Sequence, residues 1–153
     1  MQIRKANVGD IDLLVTLRID YLREEKKVQD LCDVEEIKGK TRSYFEKWLP
    51  NESCIAFIAE DEGHVCSVAF LSIVERPPRT ADSSYLVGTV YNMFTYPRYR
   101  RKGIATMVMQ KLLEDAKALG VASVDLLATE DGKILYDKLG FQVANYTAMR
   151  IKI

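Results

Sequence analysis

The stretch Tyr96-Pro97-Arg98-Tyr99-Arg100-Arg101-Lys102-Gly103-Ile104-Ala105 joins two segments of different periodicity. Before it, Thr89-Val90-Tyr91-Asn92-Met93-Phe94-Thr95 reads as a strand. After it, the apolar residues from Ile104 to Leu119 recur at helical spacing. A strand, a basic turn with glycine and a helix start together make an anion-binding device. The first turn of a helix has unpaired backbone N–H groups and the positive end of a dipole. Gly103 has no side chain to keep a phosphate from those groups. Arg98, Arg100, Arg101 and Lys102 add positive charge at the same place. The stretch therefore predicts a ligand carrying a pyrophosphate.

Downstream of the turn, Gly120 is a natural helix stop. Val121 to Ala128 reads as a strand, Asp131 to Leu139 as a short helix, and Phe141 to Ile153 as one or two strands ending in the alternation Met149-Arg150-Ile151-Lys152-Ile153. Upstream, Gln2 to Ala6 reads as a strand, and Asn7 or Asp10 can cap the helix that follows, with Leu14, Leu17 and Tyr21 on one face up to about Glu25. Val34, Ile37, Thr41, Tyr44, Phe45 and Trp48 mark a second helix, ended by Pro50 and Asn51. Cys54 to Glu60 and Val65 to Val74 read as a hairpin about the turn Asp61-Glu62-Gly63-His64, and Glu75 to Gly88 as a long loop. The predicted order is β-α-α-β-β-β-α-β-α-β(-β), an α/β arrangement with helices on a mixed sheet. At 153 residues it forms one domain, 1–153.

Composition narrows the function. The formal net charge is zero, so the basic run is local and suits a small anion; neither nucleic acid nor a membrane is an expected partner. The three cysteines, Cys32, Cys54 and Cys66, match no metal or Cys-x-x-Cys spacing and read as buried apolar residues of a reducing compartment. His64 is the only histidine and lies in a charged turn, which argues against a metal site or a serine-histidine triad. There is no apolar run of membrane-spanning length and no signal-peptide region, so the expected location is cytoplasmic.

Two motifs resemble the GNAT superfamily of acetyl-CoA-dependent N-acetyltransferases. The signature Arg/Gln-x-x-Gly-x-Gly/Ala appears as Arg100-Arg101-Lys102-Gly103-Ile104-Ala105, after the lead-in Thr95-Tyr96-Pro97-Arg98-Tyr99. The late signature Leu-Tyr-x-x-Leu-Gly-Phe appears as Leu135-Tyr136-Asp137-Lys138-Leu139-Gly140-Phe141. The resemblance covers the element order of nearly the whole chain, although residues 1–88 match in outline only. It implies the GNAT acyl-CoA N-acyltransferase fold, with a mostly antiparallel central sheet splayed where CoA binds and helices on both faces.

For the site, the resemblance implies that backbone N–H groups from Arg101 to Thr106, through Lys102, Gly103, Ile104 and Ala105, hold the CoA pyrophosphate. The side chains of Arg100, Arg101 and Lys102 would supplement them. The pantetheine arm would lie along Met93, Phe94 and Thr95, between them and Val124–Ala128, with an N–H near Phe94 facing the thioester oxygen. Tyr136 stands where members carry a tyrosine near the CoA sulfur, and a phenol can protonate the departing thiolate. Two positions depart from the family: an asparagine that contacts the cofactor is Thr129 here, and a glutamate base of the central strand is Thr89. The remaining candidates for the base are Glu75, and Tyr91 or Asn92 through water.

The expected reaction is direct transfer, in a ternary complex, from acetyl-CoA to a primary amine on a small molecule or peptide, without a metal. Residues 20–42 and 75–88 would shape the acceptor pocket, with Asp30 and Asp33 among several acidic residues in the first of them. Two other classes fit less well. A non-catalytic acyl-CoA sensor would have no need of Tyr136. A nucleotide-binding protein would carry Gly-x-x-x-x-Gly-Lys-Ser/Thr or Gly-x-Gly-x-x-Gly, and the turn has neither. Dimers are common in the superfamily, and Thr147–Ile153 is a candidate edge for pairing with a second copy.

Overall fold

A computed structural model describes residues 1–26, 33–78 and 85–153. The elements are β1 (Gln2–Lys5), α1 (Ile11–Lys26), α2 (Val34–Trp48), β2 (Cys54–Asp61), β3 (His64–Glu75), β4 (Leu86–Thr95), α3 (Ile104–Ala118), β5 (Ser123–Asp125) and α4 (Glu130–Lys138). Asn7 caps a short 3-10 turn, Val8–Asp10, ahead of α1; its side chain accepts from Gly9 N–H while Asp10 accepts from the Asn7 N–H. The predicted hairpin, all three long helices and the basic turn are present. Cys32 and Asp30 lie outside the described residues, as does the middle of the 75–88 loop.

The five strands stand in sequence order in one sheet. Neighbours are antiparallel from β1 to β4, while β5 joins β4 in parallel. The alternation of β2 and β3 sends side chains to two cores. On one face Ile55, Phe57, Leu71 and Val90 pack against Ile104, Val108, Met109 and Leu112 of α3. On the other, Cys54, Ala56, Ile58, Val68 and Phe70 pack against Leu14, Leu17 and Phe45 of α1 and α2. The central strands are buried on both faces, which is why they read as nearly continuous apolar runs.

The segment 141–153 departs from expectation: no strand forms there, and Met149 and Ile151 are exposed. Alternation alone does not make a strand, because the backbone needs a neighbouring ladder. Here β5 is three residues long and offers too little edge.

Candidate active site

Two irregularities at the end of β4 open the sheet. The first is a bulge. Val68 pairs with Phe94 and Phe70 with Tyr91, so Ala69 alone faces both Asn92 and Met93. Asn92 takes up the extra residue at φ 55°, the left-handed region that asparagine tolerates better than most side chains. The second is a splay. β5 pairs with β4 only from Val87 to Thr89, opposite Ser123 to Asp125. Beyond Thr89, among the described residues, no strand covers that edge of β4.

The chain then enters the basic turn. Pro97–Tyr99 makes a 3-10 turn, Arg101 has φ 61°, and Gly103 caps α3 at φ 77°. No side chain caps α3, so its first N–H groups face outward. A Cβ on Gly103 would meet nothing within 4 Å, which leaves open space over the helix N-terminus. An uncapped helix start under open space fits a phosphate group. The basic side chains are differently employed. Arg100 donates through Nε to Thr95 O at 2.9 Å and through Nη2 to Glu24 Oε1 at 2.8 Å. It braces β4 and α1 against the turn, where the sequence suggested only an anion contact. Arg98 and Lys102 stack over the Tyr99 ring, and Arg101 is exposed.

Thr129 caps α4 by accepting from Gly132 N–H at 3.1 Å. Two turns of that helix later, Tyr136 folds back over Gly132, where a Cβ would stand 3.2 Å from the phenol ring. The absence of a side chain at Gly132 thus seats Tyr136. Its ring packs edge-on to Phe141 at 5.7 Å and joins the apolar cluster that also holds Met93, Ile104, Met107 and Leu126. The two signatures therefore meet in space on one face of the splay. Burial holds the Tyr136 phenol above its usual pKa, keeping it a proton donor at neutral pH.

Glu75 is not brought to this place. It pairs with Leu86 at the other end of the sheet, beside a groove of about 470 Å³ that Tyr44, Trp48 and Ser72 also line. Leu86 is six residues before Asn92, or roughly 20 Å along an extended strand. Tyr91 is exposed, and the Asn92 amide is engaged by α1. Cys54 and Cys66 are free and buried, and burial pushes the Cys54 thiol up to about 11, far from a nucleophilic thiolate.

The structure adds contacts that the sequence left unmarked. Arg18 Nη1 donates to Asn92 Oδ1 at 3.1 Å, and Asn92 Nδ2 donates to Leu17 O at 3.5 Å. Tyr21 donates to Glu25 Oε1 at 2.8 Å and meets Phe94 edge-on at 6.4 Å. Burial first, then the bond to Glu25, pushes the Tyr21 phenol up to about 12. Tyr96 donates to Asp20 at 2.5 Å. A periodicity argument places Leu17 and Tyr21 on the core face but gives no hint that Arg18 reaches a strand 74 residues away.

Comparison with known proteins agrees with this layout. Residues 17–141 match the Acetyltransferase (GNAT) family. An uncharacterized N-acetyltransferase of Archaeoglobus fulgidus is 27% identical over 121 residues, 76% of this chain and 74% of the relative. The crystal structure of a predicted acetyltransferase with acetyl-CoA from Clostridium acetobutylicum superposes with a TM-score of 0.84 at 29% identity, covering 97% of this chain and 95% of that one. A GCN5-related N-acetyltransferase from Ralstonia eutropha has the same fold, with a TM-score of 0.80 at 21% identity over 98% of this chain and 97% of its own.

Proposed function

Because the chain belongs to the GNAT acetyltransferase family, we propose that it moves the acetyl group of acetyl-CoA directly to a primary amine in a ternary complex. One observation carries this reading: the uncapped start of α3 lies beside an uncovered stretch of β4, with Tyr136 in the same apolar cluster. The first element suits a pyrophosphate, the second a peptide-like arm, the third a leaving thiolate. The relative from Clostridium acetobutylicum was crystallised with acetyl-CoA, which supports the same donor here.

In this reading the N–H groups at Ile104, Ala105 and Thr106 bind the pyrophosphate. The pantetheine arm adds to β4 along Met93, Phe94 and Thr95. A free amine attacks the thioester carbonyl, and an N–H near Phe94 faces the developing oxyanion. The C–S bond breaks, and the Tyr136 phenol gives its proton to the thiolate. The incoming ammonium must first lose a proton to become the attacking amine, for which the Tyr21–Glu25 pair offers a carboxylate. The nitrogen sheds a second proton to solvent as the amide forms, while solvent returns one to Tyr136. Pairing of a second copy along residues 147–153 belongs to the same proposal and would be read from the mass in solution.

The test is thiol release from acetyl-CoA across a panel of amines, together with acetyl-CoA binding. Tyr136→Phe should lower kcat by about a hundredfold, within the range for a general acid, and leave the acetyl-CoA Kd unchanged. Acetyl-CoA binding without release on any amine would favour the sensor.

A further inference from the structure

Arg18 is a half-buried cation at the bulge, and among the described residues it has no counter-charge. Its described contacts are Asn92 Oδ1 at 3.1 Å, a neutral acceptor, and the Tyr21 ring, whose centroid is 5.4 Å from the guanidinium carbon. Among the described residues no carboxylate pairs with it, although acidic residues stand nearby. Asp20 takes the Tyr96 hydroxyl and the Arg23 guanidinium, Glu24 takes Arg100, and Glu25 takes Tyr21. Of the other arginines on α1 and the turn, Arg23 and Arg100 have carboxylates, Arg98 has the Tyr99 ring, and Arg101 is exposed to solvent. Arg18 instead points at the strand residue where β4 bulges, on the α1 side of the splay, opposite the face that holds Tyr136.

A guanidinium has five N–H donors in a fixed fork and matches carboxylate or phosphate oxygens two at a time. One donor here anchors to Asn92, and the ring of Tyr21 holds the plane. The remaining donors have no carboxylate among the described residues and lie on the α1 side of the bulge, beside the stretch of β4 along which the thioester would be laid. We propose that Arg18 selects acceptors that carry an anionic group, a carboxylate or a phosphate, close to the reacting amine. The inference rests on the acetyl-transfer reading above and names the acceptor class that reading leaves open. Arg18 touches the acceptor's anion and takes no part in the bond changes, so it is a specificity residue. The Tyr21–Glu25 pair beside it suits the ammonium end of the same molecule.

Matched acceptors test it: phenylalanine against phenylalaninamide for a carboxylate, and phosphoethanolamine against ethanolamine for a phosphate, with rates expressed per free amine. The charged member of at least one pair should have a kcat/KM about 10- to 100-fold above its neutral partner, the range of a charge-assisted hydrogen bond. Arg18→Gln should erase most of that ratio through KM, Arg18→Lys should restore part of it, and neither should change acetyl-CoA affinity. The pair that responds says whether carboxylate or phosphate is the true group. Binding of the same four amines to the CoA complex is measured alongside. A preference for the neutral members, an R18Q variant that lowers both members equally, or no binding of either charged amine would overturn the inference. Failure of acetyl-CoA to bind the wild-type protein would instead overturn the donor reading beneath it.

Discussion

Around Gly103 the polar groups offered to a ligand belong to the backbone, whereas around Asn92 they belong to side chains that α1 brings across to the sheet. The difference shows in how the basic residues are used. Of the four cations in the turn, Arg100 is committed to Thr95 and Glu24, and two others stack on Tyr99. Arg18, the cation at the bulge, is held among the described residues by one neutral bond and the Tyr21 ring. A backbone device depends on a local conformation and tolerates many side chains. A side-chain device depends on two elements packing at one distance.

The sharpest way to break the donor end is to disturb its backbone. Gly103→Val places a β-branched residue in the left-handed region and fills the open space over α3. Strain of about 1–2 kcal/mol borne in the bound conformation should lower acetyl-CoA affinity about 5- to 30-fold, measured by calorimetry. At the bulge, Asn92→Ala keeps neither the side-chain bonds nor an easy left-handed backbone. Thermal unfolding should show a loss of about 2 kcal/mol, lowering Tm by roughly 4–8 °C. Asn92→Gly relieves the strain and should recover about half of that loss. Equal losses in the two variants would mean that backbone strain is not what asparagine solves there. Back at the turn, Arg101→Ala removes an exposed cation and should weaken acetyl-CoA only about two- to fivefold. A larger loss would mean that the donor end, too, works through side chains.

The smallest expected effect is remote from both ends. Arg4 donates to Asp10 at 2.8 Å and to Glu60 at 2.9 Å, and this holds the Asp10 carboxyl below the usual carboxylate range. A carboxyl depressed in the folded state adds stability above its ordinary pKa, and that stability is lost as pH falls through the depressed value. Asp10→Asn should therefore lower stability at neutral pH by up to about 1 kcal/mol and flatten the acid limb of Tm against pH.

The same contrast explains what could be read in advance. The turn, the start of α3 and the Leu135–Phe141 signature lie in short contiguous segments, where residue type and local geometry are tightly linked. Tyr136 follows from the motif, and Gly132 explains how its ring is seated only once α4 is in view. The Arg18–Asn92 bond joins residues 74 apart and depends on a one-residue bulge, which no periodicity announces. Glu75 reads as a candidate base by proximity to a strand end, but register decides which end, and β3 places it opposite Leu86, away from the bulge. The alternation from Met149 to Ile153 had strand chemistry without a strand to join.

The edge of β4 beyond Thr89 would also link the folded state to metabolism under the proposed function. If acetyl-CoA completes that edge, it binds the native chain alone and shifts the folding equilibrium by mass action. At a hundred times its Kd the ligand would add about 2.7 kcal/mol, or roughly 5–10 °C in Tm for a chain of this size. Starvation for acetyl-CoA would then lower the amount of intact enzyme as well as its rate, making turnover of the protein itself a gauge of carbon supply.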